Sequence, residues 1–155
     1  MRLSTKAQYA VRAMVRLNLE RKDSPISIRE ISQHENISLT YLEQLFAKLR
    51  RAQLVTSVRG PGGGYILARP AAEILVDQII DSVEETLIPV ACMDEFGNCN
   101  CSDQCVTHTV WQELGERIRS FLASVSVEDL TRDARNNIER KRQLDHCGTK
   151  SDGEV

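Results

Sequence analysis

The sequence of 155 residues contains no apolar run that approaches the roughly 20 residues required by a transmembrane helix. Its N-terminus carries charged residues but no apolar segment behind them, so we expect no signal peptide. We therefore expect a cytoplasmic protein with no membrane partner. The sequence also lacks a recognisable Ser/His/Asp or paired-carboxylate arrangement, and for this reason we predict that the protein is not an enzyme.

Cysteine is scarce outside one stretch of the chain. There are five cysteines, an odd number that suits a disulfide framework poorly, and a reducing cytoplasm keeps thiols free to bind metals. Four of them crowd together with one histidine: Cys92, Cys99, Cys101, Cys105 and His108. Turn-forming residues lie between them, which lets the backbone bend around an ion. The stretch 87–108 is therefore predicted to be a metal-binding loop.

The charge of the chain is divided unevenly. The formal net charge is -2, but residues 1–69 hold 12 Lys and Arg against 5 Asp and Glu, a net charge of +7. Residues 70–155 hold 8 Lys and Arg against 17 Asp and Glu, a net charge of -9. The basic half suits a polyanionic partner such as DNA.

Three helices are predicted in the basic half. Apolar residues at helical spacing favour a first helix over 4–20, with Ser4 as its N-cap. Ser27 and Glu30 form a capping box for a second helix that runs to about residue 34. Ser38 is expected to cap a third helix. The short second and third helices, joined by a tight connection, predict a helix-turn-helix.

A β-hairpin is predicted directly after these helices. β-Prone runs at 54–58 and 65–68 flank a glycine-rich tip. The tip lacks the Gly-Lys-Ser/Thr of a nucleotide-binding loop. A hairpin in this place is typical of the wing of a winged-helix domain, whose second helix of the pair enters the major groove.

One face of the third helix is predicted to be core and the other to face DNA. Leu42, Leu45, Phe46 and Leu49 recur at helical spacing and form the core face. The candidate DNA-binding residues on the opposite face and in the wing are Ser38, Thr40, Glu43, Gln44, Ala47, Lys48, Arg59 and Gly60. Glu43 is either a discriminator that accepts a hydrogen bond from cytosine or a solvated surface charge.

The acidic half is predicted to be helical on both sides of the cysteines. A helix over 71–86 is expected to pack back on the winged helix, and a helix of about 22 residues, roughly 33 Å long, is expected from 103 onward. Its long apolar stripe predicts a homodimer, with packing inside one chain as the alternative. A last helix is expected over 127–144. The predicted organisation is a DNA-binding domain with linking helix (1–86), a cluster-binding loop (87–108), dimerisation helices (103–145) and a disordered tail (146–155).

Four segments carry a resemblance to a known family over residues 1 to about 130: MRLSTKAQYAV at the N-terminus, ISLTYLEQLF from Ile37, SVRGPGGGY from Ser57 and CVTHTVW from Cys105. They resemble the IscR family of iron-sulfur cluster regulators. The resemblance implies a homodimeric winged-helix transcription factor on a palindromic operator in double-stranded DNA. It also implies a 2Fe-2S cluster, control of cluster-assembly genes, and the cluster-assembly machinery as cluster donor. The predicted fold is mainly α with a small β-hairpin: a winged helix-turn-helix DNA-binding domain plus a long C-terminal dimerisation helix.

The family's ligand pattern, Cys-x5-Cys-x5-Cys-x2-His, can be placed on this chain with one insertion. It assigns Cys92, Cys99, Cys105 and His108, with six residues instead of five between the first two cysteines. Cys101 is the alternative second ligand. A zinc-stabilised repressor, a nitric-oxide-sensing iron-sulfur repressor and an electron-transfer iron-sulfur protein are the competing interpretations.

Overall fold

The structure, a computed structural model, describes residues 4–20, 24–83 and 106–148. Within these ranges the chain is mainly helical with one two-stranded antiparallel hairpin, as predicted. The helices are α1 (Thr5–Leu19), α2 (Ile28–Glu35), α3 (Leu39–Arg51), α4 (Val76–Val83), α5 (His108–Leu122) and α6 (Val127–Gly148), and the strands are β1 (Val55–Val58) and β2 (Gly64–Leu67).

Side-chain caps begin two of the first three helices. The Ser4 hydroxyl accepts a hydrogen bond from the Ala7 N–H at 3.3 Å. In the capping box of α2, the Glu30 N–H donates to the Ser27 hydroxyl at 3.2 Å, and the Ser27 N–H donates to the Glu30 carboxylate at 2.9 Å. Ser38 is the N-cap residue of α3, as predicted, and its carbonyl accepts a hydrogen bond from the Leu42 N–H at 3.0 Å. Its hydroxyl, however, makes no capping hydrogen bond.

Two arginines of α1 hold the end of α2. The Arg16 guanidinium lies 2.8 Å from one carboxylate oxygen of Glu35, and the Arg12 guanidinium lies 2.9 Å from the other. Arg12 also donates a hydrogen bond to the backbone carbonyl of Glu35 at 2.7 Å. Burial lowers the pKa of Arg16, but its hydrogen bonds to Glu35 and Glu20 outweigh this effect and the pKa is raised. This pairing fixes the angle between α1 and the helix-turn-helix.

The predicted core face of α3 is buried. Phe46, Leu42 and Leu49 are fully enclosed, and Leu45 is 2% exposed. The Phe46 ring packs edge-on against Tyr65 of β2, with ring centroids 4.8 Å apart. The hairpin and α3, the helix predicted to enter the major groove, therefore share one core.

The wing is tied to the chain that precedes α2. Ile26 pairs with Tyr65 of β2 through two backbone hydrogen bonds of 2.8 and 3.1 Å, which form an isolated β-bridge. Gly64 lies so close to this pairing that a Cβ atom there would collide with the Ile26 carbonyl. Glycine is therefore required at this position by the close approach of two backbones.

The predicted helix over 71–86 is interrupted, so this prediction is wrong in its first half. Residues 71–73 form one 3-10 turn, and α4 starts only at Val76. Between them the Ile74 carbonyl accepts from the Val127 N–H, and the Val76 N–H donates to the Val125 carbonyl, both at 2.9 Å. Pairing with a segment about 50 residues away replaces helical hydrogen bonds here. Residues 84–86 lie outside the described ranges. The prediction that this region packs back on the winged helix is confirmed, because the apolar face of α4 is buried.

The two C-terminal helices differ from the prediction in their bounds. α5 has 15 residues instead of about 22: residues 106 and 107 form a turn, residues 103–105 lie outside the described ranges, and the helix ends at Leu122. α6 continues to Gly148, so the predicted disordered tail from 146 is wrong for its first three residues, and 149–155 lie outside the described ranges. A capping box of Ser126 and Asp129 begins α6.

The first turns of α6 belong to the same body as the winged helix. Val127 and Thr131 are fully buried against it. The buried Asn18 amide of α1 donates to the Thr131 hydroxyl at 3.0 Å and to the Glu128 carboxylate at 2.9 Å. From Arg135 to Leu144 every residue is exposed, so the second half of α6 extends beyond this body.

The capping box of α2 gives a stability prediction. Ser27→Ala removes the acceptor for the Glu30 N–H, and we expect the free energy of unfolding to fall by about 1 kcal/mol. Chemical denaturation at neutral pH measures this change. Ser120→Ala, an exposed mid-helix serine in α5, is the matched control and should change stability by less than about 0.5 kcal/mol.

The same box predicts a dependence on pH. Hydrogen bonds from the Ser27 backbone and hydroxyl hold the pKa of Glu30 below its ordinary value. The carboxylate therefore stabilises the fold above the unfolded-state pKa, and this contribution is lost as the pH falls through the lower folded-state pKa. The stability gap between wild type and Glu30→Gln should narrow in acid. A gap that stays constant down to the acid transition would contradict this role.

Candidate nucleic-acid interface and metal centre

The exposed face of α3 contains most of the residues predicted to read DNA. Ser38, Thr40, Glu43 and Gln44 are exposed, and Ala47 is half-buried. Glu43 makes no ion pair with any residue that the structure describes. These side chains are therefore available to the edges of base pairs.

Lys48 is the exception among them. Its side chain is half-buried, and its ammonium group donates to the backbone carbonyl of Val83 at 3.2 Å. This contact joins the recognition helix to the last turn of α4. Spacing along α3 gave no indication of it, because the acceptor is a backbone atom 35 residues away.

The wing tip places a cation at the edge of this surface. Arg59 and Gly60 are exposed, and Gly60 has a φ of 114°, a backbone conformation that disfavours other residues. The Gly63 N–H closes the turn on the Gly60 carbonyl at 2.9 Å. Such a tip presents Arg59 to a phosphate or to the minor groove.

Two further arginines near the wing were missed by the sequence analysis. Arg50 and Arg69 line a cleft of about 580 Å³ between the end of α3 and β1, together with the hydroxyl-bearing Thr56 and Ser57. Neither arginine has a carboxylate partner among the described residues. Arg69 donates one hydrogen bond to the Gln78 amide oxygen at 3.2 Å. A guanidinium without a carboxylate partner suits phosphate, so both arginines are candidate contacts to the DNA backbone. The basic run at the end of α3 was the available signal.

His108 is the one predicted ligand that lies in a described range. It is the first residue of α5 and is half-buried. Its Nδ1 atom is shielded from solvent and has no hydrogen-bond partner among the described residues. A buried polar atom without a partner is costly, so this nitrogen fits a metal ligand.

The other predicted ligands, Cys92, Cys99, Cys101 and Cys105, lie outside the described residues. Within the described ranges no three His, Cys, Asp or Glu side chains come together as a metal site. The ligand set and the choice between Cys99 and Cys101 therefore stay predictions. His34 is exposed on α2, away from any such group.

The predicted apolar stripe of α5 divides into two parts. Val110, Leu114 and Phe121 are 59%, 38% and 66% exposed. Leu122 and Val125 instead pack against a buried cluster on α1 and α4. Packing inside one chain therefore covers only the end of the stripe, and the rest forms an exposed apolar face.

Comparison with known proteins identifies the group to which this architecture belongs. Residues 3–133 match the profile of Rrf2, described as iron-dependent transcriptional regulator. The chain belongs to the Rrf2 family. It is 47% identical over 132 residues to the HTH-type transcriptional regulator IscR of Xenorhabdus nematophila, covering 85% of this chain and 80% of that protein. It is 46% identical over 130 residues to IscR of Photorhabdus laumondii, covering 84% and 79%. The resemblance to IscR is thereby confirmed.

Solved structures of Rrf2 relatives share the fold. The structure of T. potens IscR has a TM-score of 0.71 and 37% identity and covers 86% of this chain and 88% of its own. CymR, the global cysteine regulator of B. subtilis, has a TM-score of 0.73 and 31% identity and covers 84% and 96%. The protein is therefore a winged-helix, DNA-binding transcriptional regulator and not an enzyme. No helix in the described ranges is long and apolar enough to cross a membrane.

The interface predicts separate effects for its base-reading and phosphate-binding residues. Arg59→Ala should weaken binding to all DNA sequences and lower the magnitude of the salt slope of log Kd by about 0.9 for each bound subunit, because each subunit loses one phosphate contact. Glu43→Ala should leave that slope unchanged but reduce discrimination between operators, because a carboxylate facing the groove penalises the wrong base. Fluorescence anisotropy across an operator panel and a salt series measures both quantities.

Arg140→Ala is the matched control, since Arg140 is an exposed arginine on the distal half of α6. It should change neither slope nor discrimination. A Glu43→Ala protein that binds every operator as wild type does would leave Glu43 as a solvated surface charge.

Proposed function

We propose that this Rrf2 regulator acts in the cytoplasm as a homodimer that senses iron-sulfur cluster status through a 2Fe-2S cluster and controls cluster-assembly genes. The observation that carries the proposal is the buried Nδ1 of His108, which has no hydrogen-bond partner among the described residues and lies at the start of α5, three residues after Cys105. The names of the IscR relatives and the iron-dependent family description support it.

The donor set suits a sensor. Cys92, Cys99 and Cys105 with His108 would hold the cluster, with Cys101 as the alternative to Cys99. Three thiolates and a neutral imidazole bind an iron-sulfur cluster less tightly than four thiolates, and protons compete for the imidazole. Because such a cluster binds reversibly, the fraction of protein that holds a cluster would follow the supply from the cluster-assembly machinery.

The exposed face of α5 supports the homodimer. Val110, Leu114 and Phe121 lie on one side of a helix about 22 Å long. An apolar helix face that the rest of the described chain leaves exposed is buried most simply by the same face of a second copy, in an isologous interface. Such a dimer would present two recognition helices to half-sites about one helical turn apart, which matches a palindromic operator.

The nature of the metal gives the first test. Anaerobic purification should yield a coloured protein with equal iron and acid-labile sulfide and visible charge-transfer absorbance. His108→Ala and Cys99→Ala should each reduce the cluster content strongly, whereas Cys101→Ala should retain it. Iron and sulfide analysis of the variants, with circular dichroism to verify folding, measures this result.

Each other outcome has a defined meaning. Loss of the cluster in Cys101→Ala but not in Cys99→Ala would identify Cys101, and not Cys99, as the second ligand. Stoichiometric zinc without sulfide would replace the sensor with a zinc-stabilised repressor. Cys147→Ala is the matched control, because Cys147 lies far along the chain from the other four cysteines and should be dispensable for the cluster.

The dimer gives the second test. Leu114→Glu places a charge on the apolar face of α5, and we expect it to shift the protein to monomers and to abolish cooperative binding to both half-sites. Sedimentation equilibrium measures the oligomeric state. Glu116→Gln, on the same helix but outside the apolar stripe, should remain dimeric. A Leu114→Glu protein that stays dimeric would place the interface elsewhere.

A further inference from the structure

The contact between Lys48 and Val83 joins two helices with different predicted tasks. Lys48 lies on the recognition helix α3, and Val83 is the last residue of α4 within the described ranges. The Val83 side chain is 2% exposed in the main core, and its carbonyl receives the Lys48 ammonium at 3.2 Å. The end of α4 is therefore held by apolar packing and by a charged hydrogen bond together.

Electrostatics favour this contact. The carbonyls in the last turn of a helix carry partial negative charge and are stabilised by a nearby cation. The described residues of α4, Val76–Val83, include no basic residue, and Asp81 adds further negative charge. Lys48 provides from α3 the cation that α4 itself lacks.

The angular position of Lys48 on α3 agrees with this role. At 100° per residue, Lys48 lies about 140° around the helix from Glu43. It is thus at the margin of the face that presents Thr40, Glu43 and Gln44, and it is half-buried where they are exposed. Its ammonium group is already engaged by Val83.

The last turn of α4 is also contacted by α5. The Arg119 guanidinium lies 3.7 Å from the Asp81 carboxylate, an exposed and therefore weak ion pair. One helical turn is thus linked to the recognition helix on one side and to the helix that begins at His108 on the other. In sequence, this turn directly precedes the segment that contains Cys92.

We propose that Lys48 is a positioning residue that caps the Val83 carbonyl of α4 and sets the recognition helix relative to α4, and that it does not contact DNA. Resting on the proposed sensing function, we further infer that this cap transmits cluster occupancy to α3. The helix that begins at His108 contacts α4 through Arg119 and Asp81, and Lys48 joins the same turn of α4 to α3.

A salt series separates this role from a phosphate contact. Lys48→Met keeps an unbranched side chain and removes the charge and the donors. If Lys48 positions α3, the salt slope of operator binding stays at the wild-type value. A slope that falls by about 0.9 for each bound subunit identifies a phosphate contact and overturns the proposal.

A comparison of cluster-bound and apo protein tests the transmission. The ratio of their Kd values for one operator, about 5- to 150-fold for typical coupled sites, should move toward 1 in Lys48→Met and return in Lys48→Arg. Arg51→Met removes a neighbouring cation of the same helix and should keep the wild-type ratio. A merely structural lysine would lower the melting temperature without changing this ratio.

The remaining outcomes are equally decisive. A wild-type ratio in Lys48→Met overturns the transmission while the sensing function stands. Equal affinities of apo and cluster-bound wild type across the operator panel overturn the sensing function and the transmission with it, and the salt slope still decides the cap. Lys48→Gln, measured in the same way, replaces the methionine variant if that variant does not fold.

Discussion

Two backbone hydrogen bonds hold together the parts of this protein that have different tasks. They join Ile74 to Val127 and Val76 to Val125, so the chain before α4 lies against the chain before α6. The sequence between these two paired segments includes α4, α5 and every predicted cluster ligand. The paired segments are continuous with the core of the winged helix, because Ile74 and Val127 are both fully buried in it, and they form a fixed support.

The support is completed by polar groups that tolerate little displacement. The Asn18 amide is 4% exposed and donates hydrogen bonds both to Glu128 and to Thr131. These bonds fix the orientation of α6 relative to α1 and the winged helix. Buried amides that lose their partners cost about 1–3 kcal/mol each, which makes this orientation specific. The exposed face of α5 and the distal half of α6 are thereby presented on a rigid base, as an interface between subunits requires.

Local signals predicted most of the DNA-binding half from the sequence. The capping serines, the buried face of α3 and the glycine-rich tip each depend on residues close in sequence, so their spacing was informative. The interruption before α4 and the contact of Lys48 were not predictable in this way, since both depend on backbone atoms distant in the chain. For the metal centre, spacing indicated His108, whose buried nitrogen agrees with it. Spacing alone does not choose between Cys99 and Cys101, because the two cysteines are only two residues apart in the sequence.

The pairing of Ile26 with Tyr65 fixes the wing to the chain directly before the cap of α2. With Gly64 close against Ile26 and Tyr65 packed on Phe46, β2 and the recognition helix form one packed unit. Bending the whole wing away from α3 would break these contacts. In the proposed dimer, a choice between operators that depends on the state of the protein would therefore come from moving the two packed units relative to each other, or from a shift of α3 within its unit.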